Sequence, residues 1–167
     1  MGNPPFVGAR LMGKEQKADV NTIFPGWKTA GNLDYVCCWY KKAADIMQGT
    51  SVRSALVSTN SVSQGERVAN LWKPLFDDGV HIDFAYRTFR WDSEAKIKAH
   101  VHCVIIGFSV AASSTPKKLF DGDRYQVANH INGYLLDGEN VFVESRSKPI
   151  CNVPEIVMGN QPIDNGQ

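Results

Sequence analysis

Two consecutive prolines near the N-terminus, Pro4 and Pro5, restrict the backbone of this chain more than any other local feature. Proline holds its own φ at about −65°, lacks a backbone N–H, and forces the residue before it into an extended conformation. Neither Asn3 nor Pro4 can therefore lie in a helix interior. Together with Phe6, these residues form a stiff, extended tetrapeptide whose polar groups have defined directions.

The tetrapeptide is chemically suited to hold a planar exocyclic amine such as that of adenine. The side-chain oxygen of Asn3 and the backbone C=O of Pro4 are two acceptors at close spacing, and together they can hold both N–H bonds of the amine. Phe6 offers a face for stacking, which is worth about 1–3 kcal/mol per base. An Asn-Pro-Pro run at a chain end is also typical of a turn or a disordered start.

Composition indicates one modest core with room for a small appendage, because the chain has 167 residues of which 43% are hydrophobic. The net charge of +1 carries no overall signature for nucleic acid. The four cysteines lack metal-ligand spacing, which favours a reduced, cytoplasmic protein. No segment has the pattern of a signal peptide or a membrane span, so no membrane association is predicted.

The first half of the chain predicts the order loop, helix, strand, helix. Residues 7–31 have few periodic apolar positions and predict a long loop. Asn32 can cap a helix over residues 33–47, and the apolar run at residues 55–57 predicts a buried strand.

A second helix is predicted between a capping box and a glycine. Ser63 and Glu66 have the capping-box spacing, and Asp77 to Gly79 mark the end of the helix. Together with the preceding elements, this indicates an α/β arrangement.

Two longer strands are predicted after the second helix. Residues 80–89 are rich in β-branched and aromatic side chains, and residues 101–108 form a continuous apolar run typical of a strand buried on both faces. The charged connection at residues 90–98 is short, so the strands are expected to pair antiparallel. An α/β sheet that ends in an antiparallel hairpin is the predicted fold class.

In order and spacing, these motifs resemble the second half of the catalytic domain of adenine-specific (N6) DNA methyltransferases, of the large single-chain type II restriction-modification kind. The resemblance implies a partial class I S-adenosylmethionine-dependent methyltransferase sheet, which is Rossmann-like, followed by a small, mostly β appendage. Residues 1–113 would be the C-terminal part of the catalytic domain, and residues 114–167 a linker and the beginning of the domain that reads DNA sequence. The matching segments are residues 3–9, 33–36, 39–42, 57–66, 84–91 and 104–108.

The resemblance implies roles for the tetrapeptide and for three further aromatic residues. Asn3, Pro4, Pro5 and Phe6 would be the catalytic tetrapeptide, which acts on an adenine flipped out of the DNA duplex. A second ring from the loop between the last two strands would stack on the flipped base, with Phe89 the first choice and Trp91 the second. Phe84 is expected to be a packing residue.

Double-stranded DNA is the partner that the resemblance implies, and basic residues near the C-terminal end are candidates for phosphate contacts. Such contacts position a protein on DNA without conferring sequence choice. For any single one of these residues, a solvated surface position is the more common role. The candidates are Lys117, Lys118, Arg124, Arg146 and Lys148.

The methyl donor of the resembling family is S-adenosylmethionine, which needs a glycine-rich turn of the Phe-x-Gly-x-Gly kind. The nearest approach here, Phe120 to Arg124, lacks the second glycine. We therefore expect the N-terminal, cofactor-binding half of the domain to be absent, with no cofactor-binding residues in this chain. A sheet of about three main strands, with an exposed edge at residues 55–57 open to homodimer formation, would follow.

Other chemistries are indicated less strongly. His100 and His102 have no nearby carboxylate or cysteine, so no metal site is predicted. The same tetrapeptide could serve a glutamine amide or the N4 amine of cytosine. A third alternative is a non-enzymatic remnant or DNA-binding module, since the fragment is expected to be inactive alone.

Overall fold

The computed structural model describes residues 1–92, 100–111, 114–144, 146, 148, 150 and 151. Short 3₁₀ helices in these ranges lie at Ala9–Leu11, Ala30–Asn32 and Asn60–Ser63. The longer elements of the same ranges are α1 (Lys14–Ile23), α2 (Cys37–Met47), β1 (Arg53–Thr59), α3 (Glu66–Asp77), β2 (His81–Asp92), β3 (His100–Ser109), β4 (Lys117–Asp121) and β5 (Arg124–Ala128).

The strands form one mixed sheet in the order β1-β3-β2-β4-β5. The central strand β3 pairs antiparallel with both β1 and β2, so β1 and β2 point in the same direction. β4 pairs parallel with β2, and β5 pairs antiparallel with β4. The expected mixed α/β class is confirmed, while the connection between β2 and β3 (residues 93–99) lies outside the described residues.

The expectation of about three main strands is wrong, because the sheet has five in the part of the chain that the structure describes. β4 and β5 come from residues that the sequence assigned to the appendage, and β4 adds to the free side of β2 through residues 84–86. The expected boundary at residue 113 lies outside the described residues, and the two-part division of the chain stays a prediction.

The core lies between the sheet and the helices α2 and α3. Tyr40 of α2 stacks on Phe108 of β3 with ring centroids 5.2 Å apart, and Trp72 of α3 meets both rings edge-on at 5.4 and 6.4 Å. All three side chains are fully buried. Aromatic pairs in these geometries stabilise a core beyond the area they bury, so this cluster fixes α2 and α3 on one face of β3.

Residues 7–31 contain a helix that the sequence analysis did not predict. α1 buries only Val20, so it lacks the apolar stripe from which an amphipathic helix is recognised. Its N-terminus is capped by the side chain of Gln16, whose Oε1 accepts the backbone N–H of Gly13 at 3.0 Å. The prediction of an unbroken loop is therefore wrong.

Both predicted helix starts also need correction. α2 begins at Cys37 rather than at residue 33, since Asn32 lies in a 3₁₀ turn. α3 begins after Gly65, whose φ of +61° favours glycine. Ser63 does not cap it, because its hydroxyl donates to the C=O of Asn60 at 2.9 Å. The predicted end of α3 near residue 77 is confirmed.

In the described ranges, no helix is long and apolar enough to cross a membrane.

Candidate active site

The residue before the tetrapeptide is hydrogen-bonded to the outer edge of β1. Gly2 forms a parallel bridge with Leu56, in which the Gly2 N–H donates to Ala55 C=O at 2.9 Å and the Val57 N–H donates to Gly2 C=O at 3.0 Å. The sequence analysis expected residues 55–57 to form an exposed edge, but Gly2 pairs there and all three residues are buried. This bridge is the first anchor of the tetrapeptide.

A second anchor holds the residues that follow the tetrapeptide. The backbone N–H of Tyr35 donates to Val7 C=O at 2.8 Å, and the backbone N–H of Ala9 donates to Asp34 Oδ1 at 2.9 Å. Asp34 and Tyr35, which precede α2, thus hold Ala9 and Val7 of the N-terminal segment. The tetrapeptide is the short span between this anchor and Gly2.

Exposure alternates along the tetrapeptide. Asn3 and Pro5 are exposed, Pro4 is buried, and Phe6 is half-buried. The buried Pro4 packs against the protein while Asn3 faces solvent, where a ligand can reach its side-chain amide. Asn3 and Phe6 therefore remain available for the two contacts that their chemistry favours.

Tyr35, a member of the second anchor, is itself held in place. Its hydroxyl donates to Asp19 Oδ2 of α1 at 2.6 Å, and this hydrogen bond raises the pKa of Tyr35 to about 12. Its ring meets Trp39 edge-on with centroids 5.1 Å apart. The second anchor is thus connected to both α1 and α2.

Asp34 is a site residue that the sequence analysis did not single out. Its side chain is only 8% exposed, although charged residues are rarely buried without partners. Oδ2 accepts the Ser61 hydroxyl at 2.5 Å, and Arg67 Nε lies 3.6 Å from Oδ1. The available signal was an acidic residue between Leu33 and Val36, both fully buried, in one of the segments that carry the family resemblance.

The two candidate stacking residues lie at the C-terminal end of β2. Phe89 pairs with Cys103 of β3 and Trp91 with Val101, so both rings project to the same face of the strand. Their centroids are 6.3 Å apart; Phe89 is half-buried and Trp91 is 42% exposed. The structure therefore leaves the ring of Trp91 the more accessible of the two.

The sheet register brings the tetrapeptide and these aromatic residues to the same end of the sheet. Thr59, the last residue of β1, faces Cys103, which in turn faces Phe89. Gly2 runs parallel to β1, so the chain after Gly2 leaves toward the same end. Gly2 and β2 are separated by three strand spacings, or about 14 Å.

A polar cleft opens beside this end, between the loop that follows β1 and the last part of β2. Its volume is about 540 Å³, which is within the range of ligand sites. Gln64, Gly65 and Thr88 line it, together with Arg87, whose Nε donates to Leu135 C=O at 3.1 Å. Asn3, Phe6, Phe89 and Trp91 are not among the described residues that line it.

The candidate phosphate-binding cations differ in their surroundings. Lys117 Nζ donates to Ile82 C=O at 2.8 Å, and burial lowers the pKa of Lys117. Lys118 is exposed, and its Nζ lies 4.9 Å from the ring centroid of Tyr125. The remaining candidates, Arg124, Arg146 and Lys148, are exposed.

The segment nearest to a glycine-rich cofactor turn has a different structure. Phe120 and Asp121 end β4, Arg124 begins β5, and Gly122 has φ +57° in the tight connection between them. A hairpin turn does not resemble the strand-to-helix turn that approaches a dinucleotide or S-adenosylmethionine. Among the described residues, no three His, Cys, Asp or Glu side chains are grouped to bind a metal ion.

Comparison with known proteins places this geometry among DNA methyltransferases. A family model for the DNA-methyltransferase domain of MmeI matches residues 1–121. DNA methyltransferase A of Bacillus subtilis (strain 168) is 42% identical over 165 residues, which is 99% of this chain and 19% of that protein. The solved structure of the type IIL restriction-modification enzyme MmeI in complex with DNA matches with a TM-score of 0.91 and 44% identity, over 99% of this chain and 23% of that one. The chain spans about a fifth of the length of these relatives.

Proposed function

Because the chain belongs to the MmeI family of DNA-methyltransferase domains, we propose that it forms the amine-holding part of an enzyme that methylates the N6 amino group of adenine in double-stranded DNA. The observation that carries this proposal is that hydrogen bonds to β1 and to residues 34 and 35 hold the segments on both sides of the tetrapeptide, while Asn3 is exposed. A rigid support of this kind suits a site that must orient a small planar group.

In the proposed site, Asn3 Oδ1 and the Pro4 C=O accept the two N–H bonds of the adenine amine. With both N–H bonds held in this way, the nitrogen directs its lone pair out of the base plane. An amine conjugated with its ring does not otherwise present that lone pair for attack. Phe6 stacks on one face of the base. The half-buried position of Phe6 supports this role, because its ring is partly held by the protein and partly free to make contact.

The second face of the flipped base is assigned to Phe89, with Trp91 as the alternative. Both lie at the tetrapeptide end of the sheet, within the last residues of β2 and not in the loop from which the stacking ring was expected. β1 and β3 separate Gly2 from β2, so the flipped base is proposed to lie beyond the ends of these two strands. Base flipping itself is part of the proposal.

S-adenosylmethionine is the proposed methyl donor of the longer enzyme, and it supplies an electrophilic methyl group for attack by the oriented amine. The described residues of this chain do not fit the cofactor, since the only segment near its motif forms the β4–β5 hairpin. We therefore assign cofactor binding, and the rest of a Rossmann-like class I sheet, to another part of the longer protein. Calorimetry of this chain with S-adenosylmethionine should show no binding, and tight binding would refute this division.

The amine-holding role is tested by Asn3→Ala in the intact protein. Transfer of labelled methyl groups to DNA should fall by about 10²–10³-fold or more, since a group that contacts the reacting centre is lost. Binding to DNA should stay within about twofold of wild type, because phosphate contacts supply much of the affinity. Asn21→Ala changes an exposed asparagine on α1 and is the matched control. Normal turnover by the Asn3 variant would defeat the assignment.

The choice of acceptor is tested by the position of the methyl group. Digestion of the methylated DNA to nucleosides, followed by mass spectrometry, should yield N6-methyladenosine in its deoxy form. N4-methylcytosine as the product would support the cytosine alternative. Methylation of a protein glutamine, with no methylated base in DNA, would support the glutamine alternative. Support for DNA comes from the related MmeI structure, which was solved with DNA bound.

A further inference from the structure

We propose that Asp34 is a positioning residue for methyl transfer, which holds the tetrapeptide in its reactive register through the segment that follows it. This inference rests on the proposed function and deepens it. Asp34 lies 31 residues after Asn3 in the chain and would act through Ala9, whose backbone N–H its carboxylate accepts.

The first step concerns how the tetrapeptide is held. Before it, Gly2 makes two hydrogen bonds to β1. After it, there are two more hydrogen bonds. The Tyr35 N–H donates to the Val7 C=O, and the Ala9 N–H donates to the Asp34 carboxylate. Of these four hydrogen bonds, the one from Ala9 is the only one that depends on a side chain, so among these contacts it is the one that a point mutation can remove without altering the backbone.

The second step concerns what else the carboxylate holds. Oδ2 accepts the Ser61 hydroxyl, which also shares a hydrogen bond of 2.8 Å with Thr59 Oγ1 at the end of β1. β1 is the strand that anchors Gly2. The carboxylate therefore links the residues that follow the tetrapeptide, through Ser61 and Thr59, to the same strand that holds Gly2.

The third step concerns the charge. Arg67 of α3 approaches Oδ1 at 3.6 Å, so a cation stands beside the carboxylate. A carboxylate can accept from Ala9 and Ser61 at once and remain paired with Arg67. Alanine at position 34 would leave the Ala9 N–H without its acceptor and Arg67 without the neighbouring negative charge. Asparagine would retain one acceptor oxygen but lose the charge.

A positioning role has a kinetic signature that a purely structural role lacks. Misplacement of a reacting group by about 1 Å costs on the order of 100-fold in rate. Loss of Asp34 should therefore lower kcat while leaving the affinities for DNA and for S-adenosylmethionine near their normal values. A residue that served only folding would instead lower the folded fraction, and kcat per folded molecule would stay the same.

The test compares Asp34→Ala, Asp34→Asn and Ser61→Ala in the intact protein at a temperature where circular dichroism shows wild type fully folded. We expect kcat per folded molecule to fall by about 10- to 100-fold in Asp34→Ala and by less in the other two. KM for DNA and for S-adenosylmethionine should change by no more than about threefold. Asp45→Asn, which alters an exposed carboxylate on α2, is the matched control and should behave as wild type.

The inference is overturned if kcat per folded molecule stays within about twofold of wild type in both Asp34 variants, or if only KM changes. Asn3→Ala, measured in the same series, separates this failure from failure of the proposed function. An inactive Asn3 variant with normal Asp34 variants would remove the positioning role alone. A fully active Asn3 variant would remove the proposed function as well.

Discussion

Phe84 of β2 lies directly across from Gly107 of β3, and its ring fills the space that a side chain at position 107 would need. A Cβ at Gly107 would come within 2.1 Å of Phe84 Cε1. Phe84 is half-buried, and its contact with Gly107 agrees with the packing role that the sequence analysis favoured for it.

Gly107→Ala should therefore destabilise the protein by about 1–3 kcal/mol, because the ring must move from a packed position. Urea denaturation followed by circular dichroism measures the free energy of unfolding. Gly31→Ala is the control, since a Cβ there meets nothing within 4 Å. The double variant Phe84→Leu, Gly107→Ala should recover part of the loss. Equal stability of the Gly107 and Gly31 variants would contradict the contact.

Phe89→Ala and Trp91→Ala, made separately in the intact protein, should differ in methyl transfer. The ring that stacks on the flipped base contributes about 1–3 kcal/mol, so its removal should slow transfer by at least about fivefold. We expect the larger effect at Phe89. Tyr125→Ala removes an exposed ring from β5 and is the control. If neither variant slows transfer, the aromatic role at the end of β2 is wrong.

Lys117 and Lys118 are neighbours in sequence but should respond differently in DNA binding. Lys118→Met should weaken binding and reduce the slope of log affinity against log salt concentration by about one, because an exposed cation is lost from a phosphate contact. Lys117→Met should leave the slope unchanged, since its ammonium already donates to Ile82 C=O. Fluorescence anisotropy at several salt concentrations measures both, and equal slopes in the two variants would contradict the distinction.

Thiol labelling of this chain should single out Cys151. The thiolate is the reactive form, and burial raises the pKa of Cys38 to about 11 and that of Cys37 further. At pH 9, about 1% of Cys38 would then be thiolate, and raising the pH by one unit increases this tenfold. Cys103 is also buried, with a raised pKa, whereas Cys151 is exposed.

Iodoacetamide at pH 8 should modify Cys151 rapidly in the folded chain and all four cysteines in urea. Peptide mass spectrometry identifies the modified sites. Cys151→Ser should remove the rapid phase. Rapid labelling of Cys37 or Cys38 in the folded chain would show that the core around α2 is open.

Much of the fold could be predicted from local patterns, and the wrong predictions have two causes. The strands near residues 55–57, 80–89 and 101–108 and the end of α3 were predicted because apolar runs and turn residues are adjacent in sequence. α1 was missed because its single buried residue, Val20, leaves no periodic stripe. The appendage was expected to be mostly β, but the addition of β4 and β5 to the main sheet was missed, because it depends on pairing with β2 across about 30 residues.

The candidate site, like the fold, was predicted from the sequence only in part. By itself, the sequence determined the chemistry of the tetrapeptide, because the restrictions of Pro4 and Pro5 and the acceptors of Asn3 act within adjacent residues. Only the tertiary structure decided what holds it, because the Ala9 N–H meets Asp34 from 25 residues away, and Ser61 meets the same carboxylate from 27. Contacts at such separations depend on how the sheet and helices pack, which no local pattern encodes.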